Sequence, residues 1–473
     1  MTMMTYSSTR GGESGKSFSE ILLSGLASDG GLFMPDSWPQ LSKDQLADMA
    51  GKSYAEIAYD VISPFVDEHF AGERLKSILE KTYGAAETRF HHKAITPLRQ
   101  LVPNLWSLEL FHGPTMAFKD VALQLLGHLF DAALEDSGER VTIVGATSGD
   151  TGSAAIEGCL ACKNVDMFIL FPDGRVSDVQ RRQMTTVNAP NVHPIAIKGT
   201  FDDCQNLVKA SFNDHEFRKT HNLSAVNSIN WARIIAQTVY YFVASAALGG
   251  CQRPLSFVVP TGNFGNILAA YVAKKMGLPI EKLIVATNSN DILTRFFESG
   301  KMEMDGVNPT LAPSMDIQIS SNFERYLFEL FGRDSAKLKS VMEAFSLEGH
   351  FEVNKGHLAS AHHLFDAARV SDAQTLSTIT QIHKDADLLM DPHSAIGLNA
   401  AYQTRAKMGK DTPVVALACA HPAKFPDAVA KATGVHPALP EFVSDLMNRE
   451  EHMHRLDNDL SALQSYIKAK SPR

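Results

Sequence analysis

The stretch SFVVPTGNFGNILAAYVAKKMG, residues 256–277, runs from a short apolar, β-rich segment through two glycines into an apolar-periodic helix. Gly262 and Gly265 can adopt positive φ, which lets backbone N–H groups close on an anion. The helix dipole adds partial positive charge at the same place, so PTGNFGN (260–266) can seat a phosphate without any Lys or Arg. The spacing is not GxGxxG, so the dinucleotide fingerprint is not matched. A plain strand-to-helix turn is the other reading of these residues.

Two further stretches share this strand, loop and helix context. GATSGDTGSAA (145–155) leaves the strand-like VTIVGA (141–146) and is rich in Ser, Thr and Asp. Ser148, Thr151 and the N–H groups of Gly149 and Thr151 suit a carboxylate, although N-capping by Thr151 or Asp150 is compatible with the same residues. FHGPTMAFKD (111–120) places Lys119 at the start of the helix DVALQLLGHLFDAAL. A helix N-terminus and the neighbouring Phe118 both disfavour the ammonium, which shifts the amine towards the neutral nucleophile that a Schiff-base lysine requires. Read alone, a lysine there is equally a surface charge. GGESGKS (11–17) imitates a phosphate-binding P-loop but has Arg10 where that loop needs its first glycine, and no strand precedes it.

Short β-rich runs alternate with helical patterns elsewhere: MFILF (167–171), PIAI (194–197), KLIVAT (282–287) and PVVALA (413–418). Such alternation predicts parallel sheets covered by helices. The resulting division is an N-terminal, mostly helical cap over 1–98, a smaller α/β unit over 99–225 and a larger one over 226–473. A helical insertion is expected at about 323–387, and the region from EFVSDLMNREEHMHRL onward reads as one or two amphipathic helices.

The 473 residues carry 44 Lys and Arg against 53 Asp and Glu, a net charge of −9, which is not the basic footprint of a nucleic-acid binder. Hydrophobic residues at 44% and charged residues at 21% are ordinary globular usage. No apolar run approaches the roughly 20 residues of a bilayer span, and the first residues lack a signal-peptide core, so the cytoplasm is expected. Five cysteines, an odd number, fit reduced thiols. Cys159 and Cys162 form a CxxC without a second ligand pair, and no metal site is expected.

Together these segments resemble the fold-type II (tryptophan synthase β-like) family of pyridoxal-phosphate enzymes and, within it, the threonine synthase family. The resemblance also rests on YSSTRG (6–11), GLASDGGLFMP (25–35), VSDVQRRQM (176–184), VNSINWARI (226–234), DPHSAIG (391–397) and AHPAKFP (420–426), and so runs through nearly the whole chain. It implies pyridoxal 5'-phosphate carried on Lys119 as a Schiff base, with the phosphate in Gly262, Asn263, Phe264, Gly265 and Asn266. It also implies that Ser148, Gly149, Asp150 and Thr151 receive the substrate carboxylate, and that Asn230 and Arg233 face the substrate phosphate. The family usually has Thr before AHPAKF, facing the pyridine nitrogen; this chain has Cys419, a weaker hydrogen-bond partner. The implied activity converts O-phospho-L-homoserine and water to L-threonine and phosphate, with Lys119 as principal acid and base. His112 and His421 are alternative bases. A serine/threonine dehydratase, a phospholyase or a non-catalytic binding homologue are the competing functions, and a monomer or homodimer is expected.

Overall fold

The computed structural model describes residues 3–135, 138–224 and 227–471. Strands β1 (Tyr6–Ser8) and β2 (Phe33–Pro35) form a small antiparallel pair at the N-terminus. The helices around it start at serines that cap them. Ser17, Ser42 and Ser53 each accept from the third residue of the helix, whose Glu20, Gln45 or Glu56 reaches back to the serine N–H. GGESGKS is thus the turn that leads into the capped helix Phe18–Ser24, with Lys16 paired to Glu20 at 3.2 Å.

Two larger sheets form the body of the molecule. Taking the strands in chain order, β3 (Leu98–Val102) and β4 (Leu105–Glu109) are followed by β5 (Val141–Ala146), β6 (Val165–Pro172), β7 (Val192–Lys198) and β8 (Leu223–Ser224). Next come β9 (Leu255–Pro260), β10 (Ile280–Thr287), the hairpin-like pair β11 (Lys301–Glu303) and β12 (His350–Glu352), β13 (Phe365–Arg369), β14 (Val414–Ala418) and β15 (His454–Asp457). One sheet has the order β13-β10-β9-β14-β4-β3, parallel except for β3; the other has the order β15-β7-β6-β5-β8, parallel throughout. Every residue of β6, β9 and β14 is buried. Fully buried, largely apolar runs of this kind, interrupted only by Asp166 in β6 and Ser256 in β9, suit strands with helices on both faces.

Sheet membership does not follow the linear division at 99–225 and 226–473. Strands β3 and β4 belong with β9, β10, β13 and β14, whereas β15 returns from the far C-terminus to β7. The expected boundary at residues 225 and 226 lies outside the described residues. The stretch 323–387 is not wholly helical either, because Phe365–Arg369 forms an edge strand parallel to β10. Between Glu441 and Asp457 the chain makes two short 3-10 turns and a strand rather than a helix; only Leu460–Lys470 is helical. In each case long-range pairing, which a local pattern does not carry, decides the outcome.

The loops that carry the candidate chemistry leave the carboxyl ends of parallel strands. β4 leads to 111–120, β5 to 147–150, β9 to 261–264 and β14 to 419–421. Ligands of open parallel sheets bind at those ends.

Candidate active site

Lys119 is the first residue of the helix Lys119–Glu135. The turn before it is tightly specified. Asp120 accepts from the Thr115 N–H at 2.8 Å and the Thr115 hydroxyl at 2.6 Å, and a Cβ on Gly113 would lie 2.5 Å from the Asp120 Cβ. Burial pushes the Asp120 carboxyl up to about 6. The turn is also stitched to the loop after β14: the Phe118 N–H donates to Cys419 O at 2.8 Å and the His421 N–H to Met116 O at 3.0 Å. Lys119 and Cys419 are thereby held on neighbouring backbone.

The Lys119 amine is largely buried and lies 3.4 Å from Asp150 Oδ2. Burial lowers its pKa, Asp150 works against that, and the cations Lys424 and Arg233 lower it further. Asp150 is an ion despite its burial, because Lys424 and Lys119 hold its carboxyl well below the usual range. Lys424 Nζ reaches Asp150 Oδ1 at 2.9 Å and the Thr115 carbonyl at 2.8 Å, and Gln180 Nε2 donates to the same Asp150 oxygen at 2.9 Å. The Ser314 hydroxyl meets Asp150 Oδ2 at 3.2 Å, and the Ser314 carbonyl would lie 3.2 Å from a Cβ on Gly262. Ser314 therefore joins the lysine cluster to the glycine loop.

That loop joins strand to helix as expected, but the positive φ falls on Phe264 rather than on Gly262 or Gly265. The helix Gly265–Lys275 begins after Phe264, which sits at φ +60. The N–H groups of Gly265, Asn266 and Ile267 fall in its first turn and have no intrahelical acceptor. The Asn266 side chain accepts from Tyr240 at 2.5 Å and Tyr241 at 2.7 Å, leaving its buried Nδ2 without a partner. The Asn263 carbonyl accepts from Asn322 N, while the Phe264 ring packs edge-on to Phe323 at 5.0 Å between ring centres. Phe264 thus offers its backbone to a ligand while its ring belongs to the core.

The substrate-side residues divide. Arg233 is buried, and its Nε and Nη1 have no partner among the described residues; burial pulls it down to about 10, which leaves it charged at neutral pH. Asn230, by contrast, caps the helix Trp231–Gly249: its oxygen accepts from the Ala232 N–H at 3.0 Å and its amide donates to the Leu22 carbonyl at 2.9 Å. This fully buried side chain acts as the helix cap and as a tie to Leu22. In the SGDTG loop the Gly149 and Gly152 N–H groups turn onto the Thr147 hydroxyl at 3.0 and 2.8 Å. Thr147, not Thr151 or Asp150, therefore does the capping, and the Gly149 N–H is already engaged. Ser148 is exposed and Thr151 half-buried.

Cys419 is buried, and its N–H donates to Ser394 Oγ at 2.8 Å; burial, with Asp391 nearby, raises its thiol well above the ordinary value, so it is neutral. His421 caps the turn Pro422–Lys424 through Nδ1, and burial lowers it to about 4. His112 pairs with Glu109 at 2.8 Å. Neither histidine touches the Lys119 cluster. Cys159 and Cys162 are buried, with Cys162 Sγ 3.2 Å from the Gly127 carbonyl. Sequence reading missed Lys424, Ser314 and Gln180. A lysine between Ala423 and Phe425, inside an apolar segment, was the available signal for the first.

The residues fit pyridoxal phosphate on independent grounds. Lys119 and Lys424 both contact the Asp150 carboxylate, with Arg233 adding positive charge near Lys119; the Arg233 guanidinium and the Asn266 amide are buried with donors unspent, and the first-turn amides of the glycine loop add more. A dianionic phosphate beside a reactive carbonyl answers the amides of the glycine loop and Asn266, and leaves Arg233 for a second anion. Lys119, the 262–266 loop and Cys419 would hold that cofactor.

Fold and site define a fold-type II pyridoxal-phosphate enzyme, and residues 90–349 match the family described as pyridoxal-phosphate dependent enzyme. At 14% identity the fold is shared even with a threonine deaminase of tomato, with a TM-score of 0.51. Residues 5–83 match the threonine synthase N terminus and 394–467 the threonine synthase C-terminal family. A threonine synthase of Pseudomonas aeruginosa is 52% identical, covering 98% of each chain. The structure of a threonine synthase of Brucella melitensis with pyridoxal phosphate bound superposes with a TM-score of 0.96 at 51% identity, covering 99% of this chain and 100% of that one. The yeast enzyme gives 0.92 at 40% identity over 98% of each. The chain belongs to the threonine synthase family.

Proposed function

We propose that Lys119 carries the cofactor and moves the protons as the enzyme converts O-phospho-L-homoserine and water to L-threonine and phosphate. The observation that supports this most is the buried Lys119 amine, held 3.4 Å from Asp150, with its pKa lowered by burial, Lys424 and Arg233 against the opposing pull of Asp150. The bound cofactor supplies an electron sink for negative charge developing on substrate carbon. The chain's residues do the rest. A neutral Lys119 takes a proton from the substrate α-carbon, holds it beside Asp150, and returns protons at the carbons that need them later. Arg233, with two unspent donor atoms, binds the substrate phosphate as a charged hydrogen-bond donor. The Ser148 and Thr151 hydroxyls of the SGDTG loop meet the α-carboxylate, while the Asp150 carboxylate stays with Lys119 and Lys424. Cys419 presents a neutral thiol to the ring nitrogen, which leaves that nitrogen unprotonated.

All five cysteines are free and buried, which supports a reducing compartment, and we place the enzyme in the cytoplasm. No helix among the described residues is long and apolar enough to cross a membrane.

Product analysis tests the proposal. With pyridoxal phosphate and O-phospho-L-homoserine, the purified protein is expected to release threonine and phosphate in equal amounts. Phosphate accompanied mainly by 2-oxobutyrate would contradict it and point to a dehydratase or phospholyase.

A further inference from the structure

Resting on Lys119 as the cofactor lysine, we propose that Lys424 is a positioning residue: its ammonium claims one oxygen of Asp150 permanently, so that Lys119 shares only the other. Lys424 is fully buried and shows no route to substrate of its own. Its contacts are the Thr115 carbonyl at 2.8 Å and Asp150 Oδ1 at 2.9 Å, while Lys119 is left with Oδ2 at 3.4 Å. A buried lysine is costly unless its charge is matched, and Asp150 provides the match. The same carboxylate, if it closed on Lys119 alone, would lock that amine as an ammonium unable to attack a carbonyl or accept a proton. Lys424 prevents this in two ways, by occupying the carboxylate and by repelling a second cation.

Other groups around Asp150 reinforce this arrangement. Gln180 donates to the oxygen that Lys424 holds, and the Ser314 hydroxyl donates to the one that Lys119 approaches. The Ser314 N–H in turn donates to His393 Nε2 at 3.3 Å, and His393 Nδ1 faces Asp391 at 3.0 Å. The charged or titratable groups facing the pair are thus Arg233 from the helix Trp231–Gly249, His393 and Asp391 from the start of the helix Pro392–Thr404, and the Cys419 thiol from the loop after β14. None of these makes an ion pair with Asp150; among the described residues its ion-pair partners are Lys424 and Lys119. The sequence places it in AHPAKFP, five residues after Cys419, so one loop sets both the ring-nitrogen contact and the state of Lys119.

The test reads Lys119 directly in the full-length chain freed of cofactor. Trace acetylation with acetic anhydride across a pH series, read by peptide mass spectrometry, gives the pH at which the Lys119 amine becomes half reactive. With Lys424→Met this midpoint is expected to rise by about one pH unit, the low end of what an opposite charge at contact distance produces. Lys424→Gln, which keeps a donor for Thr115 or Asp150, gives a rise in the same direction should the methionine variant fail to fold. In an Asp150→Asn background the rise should shrink to less than half, since no carboxylate remains to be released. An unchanged midpoint overturns the proposal. So does an equal rise in both backgrounds, which would mean that Lys424 acts by repulsion alone. Cofactor attachment, read separately by borohydride reduction, distinguishes this failure from a wrong choice of cofactor lysine.

Discussion

At the residue scale, two side chains beside Lys119 carry separable predictions. Cys419 stands at the position expected to face the pyridine nitrogen, and its buried thiol is a weak hydrogen-bond partner. Cys419→Thr should therefore retain turnover and bind pyridoxal phosphate at least as tightly, as measured by absorbance titration; a large drop in both would remove Cys419 from the ring nitrogen. Asp120 gives a pH effect of definite sign. Its folded carboxyl titrates near 6 because burial opposes its charge, whereas an unfolded aspartate titrates near 4. Below about pH 4 both states are protonated; between about 4 and 6 the folded state retains a proton that the unfolded state has released. Stability from this group is thus complete below about 4 and lost as pH rises through 6. Urea unfolding at pH 4.5 and 6.5 should show this loss in the wild type and a smaller one in Asp120→Asn; identical slopes would refute it. Among the site residues, the helix starts at Lys119 and after the 260–264 loop were legible in the sequence because they are local properties, whereas the positive φ expected at Gly262 and Gly265 falls on Phe264 instead. The tie of Asn230 to the core was not legible, because it depends on the carbonyl of Leu22, some 200 positions away.

At the scale of elements, the distance between Lys119 and Asp150 is set by two helices whose backbones touch. Lys119 begins Lys119–Glu135 and Asp150 begins Asp150–Cys159. They cross at glycines: a Cβ on Gly127 would lie 1.8 Å from the Gly158 carbonyl oxygen, and one on Gly158 would lie 2.3 Å from the Leu123 carbonyl oxygen. Gly127→Ala must push the helices apart. We expect a loss of about 2 kcal/mol in denaturant unfolding, within the usual cost of overpacking, together with weaker cofactor binding. Wild-type stability in that variant would show that the helices do not set the spacing. The β-rich runs were legible because fully buried parallel strands are continuous apolar segments of five to eight residues. β13 escaped notice because FDAAR, with Asp366 and Arg369, lacks that signature; it is a strand through its pairing with β10. β15, with the sequence HRLD at the edge beside β7, escaped for the same reason.

At the scale of the whole molecule, the site exists only where loops from both large sheets meet. β5 supplies Asp150, while the six-stranded sheet supplies the approach to Lys119, the glycine loop and Cys419. A ligand that binds this junction binds the folded chain alone, so pyridoxal phosphate should raise the unfolding free energy by about 2.7 kcal/mol at a hundredfold excess over its dissociation constant. Lys119→Ala should lose most of that increment in thermal unfolding with and without cofactor; an equal increment in the variant would place the cofactor elsewhere. The linear order of segments concealed this junction, since local patterns report which elements form but not which sheet each joins. The most direct measurement is borohydride reduction of the cofactor-loaded protein followed by peptide mapping. The account predicts a single reduced cofactor adduct, on the peptide containing Lys119. An adduct on Lys424 or any other lysine, or none at all, would contradict it.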